Sequence, residues 1–233
     1  MVAWSLLAPL LVAVAAMLFW WQLYPHALAY QEQYQLFLFS ADYWAERWSV
    51  AGGVADYVAE FIVQFYRVEW LGALLLAGVF TALMLLMRRL CGDGWLSTVP
   101  VVLLLWHMGD ESVLLSYAVA LSLSLSAAVL ASWRRYPLWA DVVVVPLLFW
   151  CVGALSWVYV VVRCLQRGAR ALWLLPFLAL SQWLAYTFLL RQWPWVSVLA
   201  GINYYRVPLQ VPVLQWLIPV VAVAIIAFSR IQH

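Results

Sequence analysis

Two acidic positions in this otherwise apolar chain could take part in chemistry. Asp42 lies in the aromatic stretch 39–44, and Asp110-Glu111 follows a short apolar run. A carboxylate near a membrane is costly unless it is hydrated, paired or functional. Asp42, Asp110 and Glu111 are therefore candidate catalytic residues, acting as a general base or as ligands for a substrate or metal. The alternative is structural: each carboxylate caps a helix, close to the positive end of the helix dipole.

Arginine is the residue type that could hold a phosphate, because its guanidinium donates two parallel hydrogen bonds. Ordinary anchoring at a cytoplasmic surface explains the arginine cluster at 163–170. Arg206 falls on the opposite side in the topology derived below, against the usual bias. Arg206 and Arg67 are candidate substrate-binding residues, and Arg47 is a further candidate partner for a carboxylate.

Metal and cofactor signals are weak. His107 has no second histidine at a useful spacing, and Asp141, at the start of an apolar run, is most simply a helix cap. The cysteines lack CxxC spacing and are interpreted as free thiols rather than a disulfide framework or a metal site; they are Cys91, Cys151 and Cys164. The sequence predicts no metal site and leaves any cofactor unknown.

Composition indicates that a bilayer solvates much of the chain. Hydrophobic residues make up 68% of the 233 residues and charged residues 9%, with a mean hydropathy of +0.96. A soluble domain carries about 25% charged residues. The apolar runs are continuous, which predicts spanning helices, since spanning backbone must satisfy its own hydrogen bonds. The net charge of +2 is too small to suggest nucleic-acid binding.

The predicted fold is an all-α, polytopic transmembrane helix bundle that forms one domain over residues 1–233. Residues 137–162 are ambiguous, because they fit one long tilted helix or a hairpin that turns near Gly153. The bundle accordingly has seven or eight spans, and the hairpin, with eight, suits the arginine cluster at 163–170 better. The remaining spans are predicted at about 4–24, 70–87, 95–106, 113–133, 171–190 and 210–228.

Residues 25–69 are the most polar stretch and are predicted to form a non-cytoplasmic loop. Within it, residues 54–67 have the pattern of an amphipathic helix. Such a helix would lie along the membrane surface between spans 1 and 2, with Phe61 and Phe65 buried and Glu60 in water.

Charge placement orients the chain, because short cytoplasmic loops are enriched in arginine. Arg88-Arg89 and Arg134-Arg135 are then cytoplasmic, as is the N-terminus. The acidic segment 25–69 and the loop at Asp110-Glu111 face the other side.

Two stretches carry a resemblance to a known family. Glu32-Gln33-Tyr34 through Asp42-Tyr43, continuing with Gly52-Gly53 through Phe65-Tyr66, is the first; Asn203-Tyr204-Tyr205-Arg206-Val207-Pro208 is the second. Together they resemble an uncharacterised family of multi-spanning proteins from Bacteroidota, a family of unknown function. The resemblance implies the bacterial inner membrane. Members of that family continue into a soluble helical-repeat region, so it also implies a truncated or naturally split chain.

A weaker resemblance is to multi-spanning glycosyltransferases that use polyprenyl-phosphate sugars. Asp42 and Asp110-Glu111 fall at places comparable to the acidic outer loops of those enzymes. The paired acids of their first loop are not evident, and the lysine of a later motif is missing because the chain has no lysine.

Two functions follow as hypotheses. The first is a non-catalytic membrane scaffold or subunit of a cell-envelope complex, with the lipid bilayer and another membrane or envelope protein as partners. The alternative is a lipid-linked-sugar-dependent glycosyltransferase or a degenerate relative. The enzyme requires Asp42 and Asp110-Glu111 to line one outward cavity, within about 10 Å of each other. A transporter is disfavoured, because strong ionisable residues are missing from the span centres.

Overall fold

The computed structural model describes residues 2–92, 95–133, 136–189 and 212–232, and in these ranges it is helical without a β-strand. The predicted all-α class is confirmed. The α-helices are α1 (Val2–Leu18), α2 (Pro25–Tyr34), α3 (Ala41–Trp48), α4 (Gly53–Val63), α5 (Glu69–Cys91), α6 (Val99–Met108), α7 (Leu115–Ala131), α8 (Asp141–Val152), α9 (Ser156–Arg167), α10 (Leu174–Phe188) and α11 (Val213–Gln232). Short 3₁₀ turns, among them Gln64–Arg67, Gly153–Leu155 and Gly168–Ala171, and a π-helical turn at Phe19–Leu23 complete the described elements.

Three stretches of the described residues are long and apolar enough to cross a membrane, judged by length and composition: Glu69–Cys91, Leu138–Ala171 and Val213–Gln232. A fourth is obtained if Leu7–Leu23 and Pro25–Gln33, which meet at 79°, count as one span. Three further apolar helical stretches are shorter: Trp95–Met108, Leu115–Ala131 and Leu174–Phe188. The total of seven or eight crossings stays a prediction.

The stretch Leu138–Ala171 is a hairpin and not one straight helix. Asp141 and Arg163 are 22 residues apart in sequence, yet Oδ2 of Asp141 lies 2.8 Å from Nη2 of Arg163. A straight helix would separate them by roughly 33 Å. The chain reverses at Gly153, which has a φ of 63°, so α8 and α9 pack against each other. The hairpin interpretation of residues 137–162 therefore describes the fold.

Charged residues sort to two ends of the bundle. The C-terminal ends of α5 and α11 line one cavity through Cys91 and Arg230, and those of α7, α9 and α11 line another through Ala131, Arg167 and Arg230. These helix ends, with Arg88 and Arg89, form what we call the arginine end. At the opposite end of α11, Leu214 lines a cavity with Asp110.

The other end, the acidic end, holds the loop between α6 and α7, the start of α5 at Glu69, and α2. His26 at the start of α2 lies 3.6 Å from Glu111. Arginine and acidic loops alternate in the sequence, and the fold collects them at opposite ends, as the predicted topology requires of Arg88, Arg167 and Asp110. Arg134-Arg135 lie outside the described residues.

Residues 54–67 are helical as predicted, but the expectation that Glu60 lies in water is wrong. Ala55 and Ala59 are fully buried against the bundle, while Phe61 and Phe65 are 39% and 38% exposed. The side chain of Glu60 is only 13% exposed. The physical reason is that lipid solvates aromatic side chains well, so the helix turns its small and polar side inward.

The helix α4 is also not a free surface helix, because it packs against α7 and α8. Together α3 and α4 form a second hairpin that meets the first at its tip. The amide of Gly52 donates to the carbonyl oxygen of Trp150 at 2.9 Å, and Nε1 of Trp150 donates to the carbonyl oxygen of Trp48 at 2.8 Å. The α8–α9 turn itself lies beside the middle of α7, where Ser124 donates to the carbonyl oxygen of Leu155 at 3.1 Å.

Candidate functional site

Asp42 lies in the first turn of α3 with an exposed side chain, but it does not cap that helix. The N-cap is Ser40, whose Oγ accepts a hydrogen bond from the amide of Tyr43 at 3.1 Å. A serine in this position satisfies one of the amides left unpaired at a helix start. Asp42 instead contributes a negative charge near the positive end of the helix dipole. The prediction that Asp42 is the N-cap is therefore wrong, because the N-cap lies two residues earlier.

Asp110 and Glu111 lie in the turn between α6 and α7. Oδ1 of Asp110 accepts from the amide of Ser112 at 2.9 Å, which closes a local turn. Glu111 accepts from the hydroxyl of Tyr24 at 3.4 Å, so it ties the turn to the start of α2. Neither acid caps α7, whose N-cap is Leu114 without a side-chain hydrogen bond.

Asp110 lines an open cavity of about 610 Å³ with the apolar side chains of Phe19, Trp106 and Leu214 and with His107. Asp42 is not part of that lining. This cavity therefore does not bring Asp42 and Asp110 together, and a site shared by the two acids stays a prediction.

The predicted phosphate-binding arginines give no site with these acids. Arg67 is exposed at the end of the 3₁₀ turn Gln64–Arg67, and it does not line the cavity that contains Asp110. Arg206 lies outside the described residues.

A charged contact near Asp42 joins α3 to α4. Of the residues that form it, only Arg47 was predicted from the sequence, as a partner for a carboxylate. Nη2 of Arg47 lies 2.6 Å from Oε1 of Glu60, and its Nε lies 3.0 Å from Oε2. The hydroxyl of Tyr43 donates to Glu60, and Arg47 donates to that hydroxyl at 3.2 Å. This two-pronged pairing fixes α3 on α4.

A close backbone approach beneath this pair explains Gly52-Gly53. A Cβ added to Gly53 would lie 1.6 Å from the carbonyl oxygen of Arg47. Only glycine permits α4 to start so close to the end of α3. The sequence marks this position as a chain break, but the approach of the two helices requires the fold.

Burial shifts the titration of this group of residues. Removal from water raises the pKa of Glu60 above its ordinary value, although Tyr43 and Arg47 oppose the shift. Burial and the hydrogen bond to Glu60 raise the pKa of Tyr43 to about 12. Burial also raises the pKa of Asp56, against a hydrogen bond from Ser116 and the charge of Arg47. Asp56 and Glu60 are one helical turn apart. Glu60 is paired with Arg47, whereas Asp56 is buried beside that pair, and its burial disfavours the ionised form.

The second charged contact is the fully buried pair of Asp141 and Arg163, both 0% exposed. Nε of Arg163 lies 3.2 Å from both carboxylate oxygens, and Nη1 donates to the carbonyl oxygen of Ala131 at 3.0 Å. Tyr159 also donates to Asp141, and Tyr136 stacks against the guanidinium at 5.0 Å. The prediction that Asp141 caps a helix is wrong, because the N-cap of α8 is Ala140 and Asp141 pairs with Arg163 instead. Arg163 is buried and does not face a cytoplasmic surface.

A sequence signal for this pair did exist. Asp141 and Arg163 flank Gly153 at similar distances along an apolar stretch. A hairpin that turns at Gly153 places them side by side, and opposite charges in an apolar segment require a partner. In contrast, the Arg47–Glu60 pair depends on how α3 folds back on α4, which helix periodicity does not predict.

Metal binding has no geometric support in the part of the chain that the structure describes, because no three His, Cys, Asp or Glu side chains converge there. The cysteines at 91, 151 and 164 are free thiols.

These features define a helical protein with membrane-length apolar helices and two internal ion-pair networks. The chain belongs to DUF6057, a family of unknown function, whose sequence profile matches residues 1–233. No curated protein and no solved structure matches the chain.

Proposed function

We propose that this chain is a multi-pass protein of the bacterial inner membrane that acts as a non-catalytic scaffold subunit of a cell-envelope complex. The observation that carries the proposal is the way in which α3 is held. Helix α3 lies outside every described stretch that is long enough to cross a membrane. The Arg47–Glu60 pair fixes it to α4. We call residues 41–48 the α3 ledge.

Contacts at both ends hold the α3 ledge in place. A helix of eight residues is not stable alone in water, so its order comes from contacts at both ends. Ser40 caps its start, and Trp150 donates to the carbonyl oxygen of Trp48 at its end. Rigid short elements suit recognition, because little conformational freedom is lost when a partner binds.

The exposed face of the α3 ledge is acidic. Asp42 and Glu46 are exposed and lie one helical turn apart, so both carboxylates project from the same side. Trp44, on the same short helix, is 39% exposed. An acidic face with an aromatic neighbour is complementary to a basic segment of a partner protein.

The orientation in the membrane follows from the arginine end. Arg89, Arg167, Arg170 and Arg230 are exposed there, and arginine-rich short segments favour the cytoplasm. The N-terminus is then cytoplasmic, and the α3 ledge faces the periplasm.

A lipid-linked glycosyltransferase is the alternative, and less supports it. Asp42 does not line the cavity that contains Asp110, and Arg47 is already paired with Glu60. An enzyme of this kind would require Asp42 for turnover, whereas the scaffold requires it for partner binding.

Photo-crosslinking in native membranes tests the proposal. A photoreactive amino acid at position 46 should give a discrete protein adduct, whereas the same group at exposed Leu130 on α7 should not. With the probe kept at position 46, the adduct should disappear when Asp42→Arg is added and persist when Glu32→Gln is added. Co-reconstitution of the identified partner should then restore the complex from purified components. The scaffold is overturned if position 46 gives no protein adduct, or if Asp42→Asn abolishes sugar transfer from a polyprenyl-phosphate donor.

A further inference from the structure

A small polar cavity opens at the arginine end, where the last turns of α7, α9 and α11 meet. It has a volume of about 200 Å³ and is lined by Ala131, Ser132, Gln166, Arg167 and Arg230. Its two arginines come from helices that are far apart in sequence. The fold therefore brings two guanidinium groups to one opening.

Both guanidinium groups keep donors available for a ligand. Arg167 donates from Nη2 to the carbonyl oxygen of Tyr136 at 3.0 Å and is otherwise exposed. Arg230 is exposed and has no acceptor among the described residues. A guanidinium carries five N–H donors, so each can still form a two-pronged contact with a phosphate.

The surrounding charge is positive. Arg88, Arg89 and Arg170 lie at the same end, and Asp141, the one carboxylate described there, is neutralised by Arg163. The C-terminal ends of three helices point at the cavity, and their dipoles place partial negative charge there. Those partial charges, about half a unit each, do not outweigh this many arginines. The cavity therefore favours an anion.

Exposed tryptophans place the cavity at the depth of lipid headgroups. Trp133 directly follows Ser132 and is 66% exposed, and Trp139 is 72% exposed just before Asp141. Indole rings concentrate at membrane interfaces. In addition, α11 has 20 residues, and Arg230 lies in its last turn. Its length of about 30 Å equals the hydrocarbon thickness of a bilayer, so its end reaches the headgroup layer.

The buried ion pair holds one wall of the cavity in place. Nη1 of Arg163 donates to Oε1 of Gln166 at 3.2 Å, and Nε2 of Gln166 donates to the carbonyl oxygen of Ala128 at 3.1 Å. Gln166 is thereby fixed between α9 and α7, and Arg167 is the next residue. A site whose walls are fixed in advance loses less freedom when it binds.

We infer that Arg167 and Arg230 bind the phosphate of an anionic phospholipid from the cytoplasmic leaflet. A dissolved phosphate ester offers the same chemistry. The depth of the cavity, at the level of Trp133 and Trp139, favours the lipid. The site is independent of the α3 ledge, since no residue of the ledge lines the cavity.

Native mass spectrometry of the detergent-purified full chain tests the inference, with phosphatidylglycerol as the probe and phosphatidylcholine as the neutral comparison. Arg167→Gln and Arg230→Gln should each reduce phosphatidylglycerol affinity about fivefold, as expected for one arginine near an anionic surface. The double variant should lose both contributions. Arg230→Lys, which keeps the charge but not the two-pronged contact, should fall between wild type and Arg230→Gln.

Arg89→Gln is the matched control, since Arg89 is exposed at the same end but does not line the cavity. It should leave the affinity unchanged. Equal losses in Arg89→Gln and Arg230→Gln would replace the site by a diffuse charge effect. The inference is overturned if the double variant Arg167→Gln/Arg230→Gln keeps the full phosphatidylglycerol affinity at an unchanged unfolding temperature. Displacement of phosphatidylglycerol by millimolar inorganic phosphate overturns the choice of a lipid.

Discussion

Nη2 of Arg163 donates to Oδ2 of Asp141 at 2.8 Å, and both side chains are fully buried. This contact links the two arms of the α8–α9 hairpin at their open end. Arg163 also donates to the carbonyl oxygen of Ala131 in α7, so one guanidinium joins three helices. In an apolar surrounding, a buried charge without its partner is strongly destabilising.

Removal of one partner should therefore destabilise the fold more than removal of both. We expect Arg163→Leu and Asp141→Leu to lower the free energy of unfolding by about 3–5 kcal/mol each, because each leaves a buried charge unpaired. The double variant Asp141→Leu/Arg163→Leu should be more stable than either single variant. Unfolding in mixed detergent micelles with increasing SDS measures all three.

Arg167→Leu is the control for this cycle, because Arg167 is one turn further along α9 but exposed. Its effect on unfolding should be within about 1 kcal/mol, as for an exposed charge. Additive losses in the double variant would show that Asp141 and Arg163 do not interact, which would contradict the hairpin packing.

The turn of this hairpin gives a second prediction. Gly153 has a φ of 63° and a ψ of −141°, a conformation that only glycine adopts without strain. Gly153→Ala should lower the free energy of unfolding by about 1–3 kcal/mol. Gly78→Ala is the matched control: Gly78 lies within α5, and a Cβ there would meet nothing within 4 Å.

Since alanine favours the helix over glycine by about 1 kcal/mol, Gly78→Ala should be neutral or stabilising. The two glycine variants should then shift in opposite directions in the same SDS titration. A Gly153→Ala variant as stable as wild type would mean that the α8–α9 turn does not require a positive φ at this position.

Much of this fold could be predicted from the sequence, because long apolar runs leave few alternatives. The run that forms α5 follows from composition. Residues 137–162 fit either one long helix or a hairpin near Gly153, and only the arginine cluster at 163–170 favoured the hairpin. The face of α4 could not be assigned with rules for soluble proteins. Those rules bury Phe61 and expose Glu60, whereas the protein pairs Glu60 with Arg47 and leaves Phe61 outward.

The candidate site was less predictable than the fold. Asp42 and Asp110 were chosen because they are acidic and on the same side, but periodicity contains no information on distance between loops. The fold pairs Arg47 with Glu60 instead. Helix α3 has to fold back on α4 before these two residues meet, and only the close approach at Gly53 allows that.

The titration of Asp56 gives a third prediction. Burial raises the pKa of Asp56 above its ordinary 3.8, despite the nearby Arg47 and the hydrogen bond from Ser116. A folded-state pKa above the unfolded-state pKa means that ionisation of Asp56 lowers stability. Its contribution is most favourable below the ordinary pKa and is lost as the pH rises through the raised pKa.

Asp56→Asn removes this titration and can still accept the hydrogen bond from Ser116. Its stability relative to wild type should therefore increase as the pH rises above the ordinary pKa of Asp56 and level off once the pH has passed the raised folded-state pKa. Asp42→Asn, at an exposed position of the α3 ledge, should follow wild type. SDS unfolding midpoints at several pH values provide the measurement, and parallel curves for wild type and Asp56→Asn would refute the burial argument.

The last prediction concerns which residues share a side of the membrane. Arg89 and Arg230 lie at the arginine end and Asp110 at the acidic end, and the proposed orientation puts Glu46 of the α3 ledge on the same side as Asp110. With Cys91, Cys151 and Cys164 replaced by serine, single cysteines at these four exposed positions should divide into two pairs. Positions 89 and 230 should react only with a reagent that enters the cytoplasm, because short arginine-rich segments stay inside. Positions 46 and 110 should react with an impermeant maleimide added to the periplasmic side.

Which positions react together depends on the fold, whereas the side from which each pair reacts depends on the charge bias. The labelling experiment therefore tests the fold and the membrane orientation separately. Reaction of 89 and 230 from the periplasm would reverse the orientation and leave the fold intact, whereas reaction of 89 and 110 from the same side would contradict a bundle in which residues 95–108, with α6, cross the membrane.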